Sequence, residues 1–512
     1  MNNLDQILHK QFGYKDFLPG QKEIITSVIQ KKDVVAILPT GGGKTLCYHL
    51  SAKLLKGLTI VITPLLSLME DQVHQLRAKG DKTVMQINGL LTFQEKKRVL
   101  SNINEDTILF LSPEMLSNEN IMNKLCKLRI GLFVVDEAHC ISQWGHEFRT
   151  DYLRLHSIRS ALGNPPCFAL TATATKAVEE DIIKQLGMES PIIHRNSVNR
   201  KQIKFIVEKV DNNTEKKALF KNYLSKIQKP AIIYTATRKE AIMLSNEIKK
   251  EGYEDVAFYH GGMVKEDRLL VQHQFINNEI NYICSTNAFG MGINKPNVRT
   301  VIHYHLPSSV EQYVQEVGRA GRDGNESIAI LLYNKEDRII PLSFIDREFP
   351  SKIELKTWFD AMKNSRRSEG IGFKLETMKE LFQIDDNRWK MLLYYLEKSG
   401  VIQEKELQIE LLNNKLVLML NERFSTRKKT KQKRLIQLEQ MMNSDTCIRG
   451  SILHYFDELT EEQVAPCCSS CGFTMNQAKV QLFPKEKNEV VDVSNTWESK
   501  LRKMLFPYEG RL

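Results

Sequence analysis

The 512-residue sequence has no uninterrupted apolar stretch near the about eighteen residues needed to cross a bilayer, and its opening "MNNLDQILHKQFGYKDF" lacks the apolar core of a secretion signal. No membrane association is therefore expected, and a cytoplasmic location is. Cysteine is sparse: of nine, Cys47, Cys126, Cys140, Cys167 and Cys284 are scattered, while Cys447, Cys467, Cys468 and Cys471 gather near the end. That spacing argues against a disulfide framework and for reduced thiols plus one clustered metal site. Internal repeats and long low-complexity segments are also missing. Acidic residues fall short of basic ones, 62 against 72, and the pI near 8.9 leans toward a polyanionic partner, a balance that many ordinary enzymes share.

What is present is length and alternation. The chain exceeds what one hydrophobic core serves. From about residue 30 to residue 335, short β-branched runs alternate with helical patterns: "DVVAIL", "LTIVIT", "TILFLS", "GLFVVDE", "CFALTAT", "AIIYTA", "VAFYH", "NYICST" and "TVIHYHL". This predicts an α/β protein with two parallel-sheet domains in tandem, divided near "VNRKQIKF" at residues 198–205. Beyond Pro350, "LETMKELFQ" and "DNRWKMLLYYLEKSG" read as two amphipathic helices. "ELQIELL" and "KLVLML" read as alternating strands joined at Asn413-Asn414, which together suggest a small winged-helix-like α+β unit. Seven basic residues and no acidic one lie between Arg423 and Arg434. Such a run is usually a solvated face, but here it favours contact with duplex phosphates.

"VVAILPTGGGKTLCY" passes from strand to glycine-rich turn to helix. Thr40, Gly41, Gly42 and Gly43 would let backbone N–H groups approach phosphate oxygens, Lys44 would reach the β and γ phosphates, and the Thr45 hydroxyl would hold Mg²⁺. Leu38 stands where the general pattern has its first glycine, and the alternative is a glycine-rich helix start without a ligand. Far downstream, Asp136 and Glu137 follow the apolar "LFVV" at the carboxyl end of an expected strand. One carboxylate there suits Mg²⁺ and the next suits activation of the attacking water. A surface acidic pair is the plain alternative.

The segments "LPTGGGKTLCY", "VITPLLSLMEDQV", "FLSPEML", "VVDEAHCISQWGHEFR", "LTATAT", "STNAFGMGINKPNVR" and "YVQEVGRAGRDG" occur in the order found in RecQ-type DNA helicases of superfamily two, which the chain resembles over roughly residues 4–340. The resemblance implies two RecA-like domains, ATP and Mg²⁺ as cofactors, and movement from 3′ to 5′ on single-stranded DNA while duplex DNA is unwound in repair or recombination. "FGYKDFLPGQ" resembles the family's adenine-binding segment, with Tyr14 to stack on the base and Gln21 to read its edge. Leu18 replaces the family's usual arginine and removes one cation. Gln315, Arg319 and Arg322 would act from the second domain, with Arg322 as first choice for the finger that neutralises the γ-phosphate. Thr171 and Thr173 would couple the nucleotide site to the cleft, and His139 and Gln143 would sense the nucleotide side. Trp144, His146, Phe148 and Arg149 lie on the loop that similar helicases use to feel single-stranded DNA. Packing of Trp144 and Phe148 against a neighbouring domain is the alternative.

"CIRGSILHYF" and the terminal cysteines resemble the family's zinc-binding subdomain. Cys447, Cys467, Cys468 and Cys471 would bind Zn²⁺, although the family spaces its last three cysteines and here Cys467 and Cys468 are adjacent. The expected plan is a first RecA-like domain at 1–200, a second at 201–345, a winged-helix-like unit at 346–425, a helical zinc-binding subdomain at 426–475 and a tail at 476–512. The family usually sets its winged helix after the zinc module. The candidate here precedes it, as a rearrangement or as a compact helical insertion with a hairpin. No segment resembles the family's additional helical nucleic-acid-binding domain. Single-stranded and duplex DNA are the expected partners, and a single-stranded-DNA-binding protein is the candidate protein partner. An RNA helicase and a DNA-binding remodeller that does not open duplexes are the alternatives.

Overall fold

Two all-parallel sheets organise residues 34–333. The computed structural model describes residues 4–142, 149–290, 295–368, 379–403, 406–459 and 466–477. The expectations for Gln143, Trp144, His146, Phe148 and the tail beyond residue 477 lie outside the described residues.

The first sheet contains β1 (Val34–Ile37), β2 (Leu58–Ile62), β3 (Val84–Ile87), β4 (Ile108–Leu111), β5 (Ile130–Val135), β6 (Cys167–Thr171) and β7 (Ile192–Arg195), in the order β3-β4-β2-β5-β6-β1-β7. The second contains β8 (Ile203–Lys209), β9 (Ala231–Tyr234), β10 (Val256–Tyr259), β11 (Tyr282–Ser285), β12 (Thr300–His303) and β13 (Ser327–Tyr333), in the order β10-β11-β9-β12-β13-β8. Each of the nine apolar runs forms a strand. Burial on both faces explains their unbroken hydrophobicity. Along β1, Val35 and Ile37 enter one core while Val34 and Ala36 enter the opposite one. Of the four strands outside those runs, β3, β7 and β8 are sheet edges, where polar residues interrupt the pattern.

The register carries the motifs to one end of the sheets. Ile37 of β1 is level with Thr171 of β6, and Val135 of β5 with Ala169 of β6. The loops after β1, β5 and β6 therefore open together at the carboxyl ends of adjacent strands, the usual place for a ligand in an open α/β sheet.

The carboxyl-terminal region departs from the expected pair of strands. "KLVLML" is not a strand, and Asn413-Asn414 is not a hairpin turn. Asn413 caps a helix running from Asn414 to Asn443, its side chain accepting from the Leu416 N–H at 3.0 Å. "ELQIELL" holds only the two-residue strand Glu406–Leu407, paired antiparallel with Ile402–Gln403, and a single turn of 3₁₀ helix. The helix Asp386–Lys398 does form as expected, and a separate core joins it to Lys352–Ser368 and the first half of the long helix.

The basic run lies on that long helix, and most of it faces protein. The Arg427 guanidinium stacks on Phe349, Lys428 meets Asp346 at 3.0 Å, Lys431 meets Glu348 at 2.7 Å, and Arg434 approaches Glu311 at 3.7 Å. Arg434 thus reaches the second sheet domain at Glu311, while Arg427, Lys428 and Lys431 meet residues 346–349 just beyond it. Lys429 and Lys433 remain exposed, as does Arg423 beside the Tyr395 ring.

Candidate active site between the two sheet domains

The loop leaving β1 turns sharply at Gly41 (φ +87°) and Gly43 (φ +71°) before the helix Lys44–Leu54. Gly43 is required twice over. Its left-handed backbone disfavours a side chain, and a Cβ would sit 2.2 Å from Gln21 Nε2. Gln21 is buried, donates to the Gly42 and Gly43 carbonyls at 3.1 and 3.3 Å, and accepts from the Leu18 N–H at 2.9 Å. The expected adenine reader therefore also fastens the glycine loop. Tyr14 is half exposed, with its hydroxyl accepting from Lys79 at 2.8 Å, and Leu18 lies exposed beside it.

Lys44 donates to Glu137 Oε1 at 3.0 Å. Burial works against the charge on Lys44, but Glu137 and Asp136 more than offset it, so its pKa is raised. Burial lifts Asp136 above its ordinary value despite Lys44, and Gln72 donates to its Oδ2 at 3.3 Å. Glu137 has a positive φ of 47°, an uncommon conformation for a residue with a side chain and a strain of order 1–3 kcal/mol. That turn aims Glu137 at Lys44 while its own N–H donates to Asp136 Oδ1 at 2.9 Å. His139 Nδ1 lies 3.4 Å from Glu137 Oε2 and 2.9 Å from the Thr171 hydroxyl. The Thr173 N–H donates to that same hydroxyl at 3.3 Å. Thr171, and Thr173 through it, thus reach Glu137 by one histidine.

Across the cleft, the buried Gln315 lies in the last turn of the helix Val310–Val317, and Arg319 and Arg322 follow beyond it. Arg319 donates to the Gly290 carbonyl. Burial, with the neighbouring Arg319 and Arg200, pushes Arg322 down to about 9, a crowding of positive charge that an anionic phosphate would relieve. Tyr14, Gln21, Thr40, Gly41, Gly43, Lys44, Thr45, Asp136, Glu137, Gln315, Arg319 and Arg322 all line one cavity of about 1060 Å³.

Arg149 stands apart from this cavity. Its N–H donates to the Cys140 carbonyl at 2.9 Å and its guanidinium to the Pro64 carbonyl at 2.7 Å. Sequence reasoning missed Gln72, Tyr152, whose hydroxyl reaches the Asp136 carbonyl at 3.1 Å, and Arg200 in the linker. Gln72 sits inside the quoted "VITPLLSLMEDQV" and Arg200 inside "VNRKQIKF", but nothing in either segment singles them out, and Tyr152 lies outside every quoted motif.

The terminal cysteines converge. The sulfurs of Cys447, Cys467, Cys468 and Cys471 lie within 4.8 Å of one another, with neighbouring pairs at 3.5, 3.9 and 3.4 Å. Tetrahedral zinc with bonds of about 2.3 Å needs sulfurs roughly 3.8 Å apart, so the donor set fits despite the adjacent pair. Extended backbone at Cys468 (φ −154°, ψ 169°) accommodates that adjacency. The segment also pairs along edge strand β8, where the Phe205 N–H donates to the Cys467 carbonyl at 3.1 Å.

Two parallel-sheet domains that share a phosphate-type loop, an acidic pair and facing arginines define a two-domain RecA-like ATPase. A DEAD/DEAH box helicase model matches residues 18–181, and a helicase conserved C-terminal domain model matches residues 215–324. The chain is 39% identical over 506 residues, 98% of both chains, to the probable ATP-dependent DNA helicase RecS of Bacillus subtilis. It is 38% identical over 333 residues to the ATP-dependent DNA helicase RecQ of Pasteurella multocida, covering 65% of this chain and 52% of that one. The chain belongs to the RecQ-type helicases of superfamily two. Among solved structures, the helicase Lhr of Mycobacterium smegmatis bound to ssDNA and AMP-PNP superposes with a TM-score of 0.54 at 21% identity, covering 66% of this chain and 48% of that one. The DNA-bound helicase MrfA superposes with a TM-score of 0.55 at 21% identity, covering 67% and 50%. Both share the fold. Among the described residues, no helix is long and apolar enough to cross a membrane.

Proposed function

We propose that the protein is an ATP-dependent DNA helicase that moves 3′ to 5′ along single-stranded DNA and separates duplex DNA in repair or recombination. The observation that carries this reading is the single cavity in which Lys44, Asp136 and Glu137 of one domain face Gln315, Arg319 and Arg322 of the other. Thr45 and Asp136 would hold Mg²⁺, which when bound supplies charge neutralisation for the phosphates. Gln21 and Tyr14 orient the base, and the loop Thr40–Gly43 cradles the phosphates. Lys44 exchanges Glu137 for phosphate, which releases that carboxylate to orient water and accept its proton. Arg322, with Arg319, neutralises charge on the transferred group. An arginine of this kind contributes on the order of 10³ to 10⁵ in rate, so hydrolysis depends on closure of both domains.

Thr171 and Thr173 pass the state of the carboxylates toward the cleft through His139. Trp144, His146, Phe148 and Arg149 serve the single strand, where stacking on one base is worth about 1–3 kcal/mol, comparable to one duplex step of roughly 1.4 kcal/mol. The four cysteines hold a structural zinc. Work inside the cell on single-stranded and duplex DNA, alongside a single-stranded-DNA-binding protein, completes the reading.

The test is strand displacement on DNA and RNA duplexes with 3′ or 5′ single-stranded tails. ATP-dependent opening of the 3′-tailed DNA duplex is expected. Preference for RNA, or DNA-stimulated ATP hydrolysis with no strand opening on any substrate, would overturn it.

A further inference from the structure

Hydrolysis as read above needs Arg319 and Arg322 held against the phosphate loop of the other domain, and no sequence motif supplies the fastening. Arg200, in the connection between β7 and β8, bonds to both sides of the cleft. One of its terminal nitrogens donates to the Thr40 carbonyl at 2.6 Å and the Gly318 carbonyl at 3.1 Å. The other donates to the Ala320 carbonyl at 3.1 Å and the Gly321 carbonyl at 2.9 Å. One planar guanidinium thus joins the glycine loop to the turn that carries both arginines. A lysine, with a single point charge, cannot reproduce that fork.

The joined segments leave no slack. A Cβ on Gly318 would lie 3.2 Å from the Thr40 side chain, and one on Gly41 would lie 3.3 Å from Arg322 Cγ. The linker backbone is held in turn. Arg449 donates to Asn199 Oδ1 and to the Arg200 carbonyl, both at 2.8 Å, and also to the Ile203 carbonyl. Its guanidinium lies 5.1 Å from the centre of the Phe205 ring. Arg449 sits in the first turn of the helix Ile448–Tyr455, which Cys447 caps.

We propose that Arg200 is a positioning residue for ATP hydrolysis, fastening the turn of Arg319 and Arg322 to the phosphate loop, and that Arg449 of the cysteine module holds Arg200 in register. This rests on the ATPase reading above. Lys44, Thr45 and Gln21 do not depend on the fastening, so nucleotide binding should persist while turnover fails.

The experiment compares the full-length parent with Arg200→Ala, Arg200→Lys, Arg449→Ala and the Arg200→Ala/Arg449→Ala double variant, reading DNA-stimulated ATPase and thermal unfolding. A misplacement of about 1 Å costs on the order of 100-fold in rate, so Arg200→Ala should lower kcat roughly 30- to 100-fold with KM for ATP within about threefold. Arg449→Ala should lose less, and the double variant no more than Arg200→Ala, because the second arginine acts through the first. An Arg200→Ala kcat within threefold of the parent, or losses that multiply in the double variant, would overturn the proposal. If Arg200→Ala does not fold, Arg200→Lys decides: about a tenfold kcat loss at parental melting temperature supports the proposal, and parental kcat refutes it. A parent that hydrolyses no ATP refutes the functional reading instead, which Lys44→Ala separates by abolishing turnover only where that reading holds.

Discussion

Glu137→Gln should lower turnover and strengthen nucleotide binding together, and the Lys44–Glu137 pair sets the direction of each effect. The substitution conserves shape but removes the charge that Lys44 holds at 3.0 Å, between side chains only 17% and 10% exposed. A hydrogen bond to a charged group contributes about 1.5–3 kcal/mol, and an arriving phosphate must displace it to recruit Lys44. A neutral amide holds Lys44 less firmly. If about 1 kcal/mol of that competition disappears, nucleotide affinity rises roughly fivefold. Loss of a general base costs about 10² to 10⁴ in rate, or about 2.7–5.4 kcal/mol of barrier. The assay pairs DNA-stimulated ATPase with equilibrium binding of a non-hydrolysable ATP analogue. A kcat within tenfold of the parent would refute water activation by Glu137. Weaker binding in a folded variant would refute the Lys44 exchange.

Three further outcomes are expected. Trp144→Ala should leave nucleotide and DNA binding detectable while sharply reducing DNA-stimulated ATPase; unaltered stimulation and unwinding would remove Trp144 from coupling. Asp81 accepts from His49 at 2.7 Å and Lys53 at 2.8 Å, and although burial opposes its charge, these bonds and Thr83 hold its pKa below the usual value. A depressed folded value gives stability that is complete above the ordinary carboxylate range and is lost progressively as pH falls from that range through the lower folded value. Asp81→Asn should therefore melt about 2–6 °C below the parent at pH 7, for a loss of about 1–2 kcal/mol, with the gap closing below about pH 4; a gap that persists in acid would contradict this. Metal analysis should find about one zinc per chain in the parent and none in Cys468→Ser, and a fully folded metal-free parent would argue against the site.

That the candidate residues of the first domain come together was legible because "GGGKT" and Asp136-Glu137 each follow an apolar β-branched run, and a parallel sheet gathers the ends of such runs at one edge. Lys44, Asp136 and Glu137 meet through the shared ends of β1, β5 and β6. The edge strands were harder to see, since half-polar "VMQI" and "IIHR" lack the signature of a strand covered on both faces. "KLVLML" misled for a different reason. Six residues can alternate and still belong to a helix, and the deciding pattern extends beyond them. Leu416, Val417, Leu420, Phe424, Arg427, Leu435, Leu438 and Met442 are buried at spacings that only a long helix sustains, with Asn413 as its cap. Ending the segment at Leu420 hid that period, and the basic run that follows disguised it as a solvated face. Arg200 was illegible because its four partners are main-chain carbonyls, which carry no sequence identity.

The corrected long helix changes what the carboxyl-terminal unit does for the motor. Its second half packs on the second sheet domain, where Leu435, Leu438 and Met442 enter the same core as Ile203, Tyr313 and Val317. The helix Asp386–Lys398 reaches the first domain instead: Arg154 pairs with Glu397, and Lys390 approaches Asp151 at 3.5 Å. One unit therefore touches both halves of the ATPase. The contacts differ in kind, a shared apolar core on one side and exposed ion pairs on the other. Exposed pairs contribute little, about 0–1 kcal/mol each, and are screened by salt, whereas the core is not easily parted. When the domains move relative to each other, the ionic contact to the first domain should yield before the apolar one. On that ordering the helix Asp386–Lys398 should part first from Asp151 and Arg154, which follow the aromatic loop in sequence, and stay with the second domain.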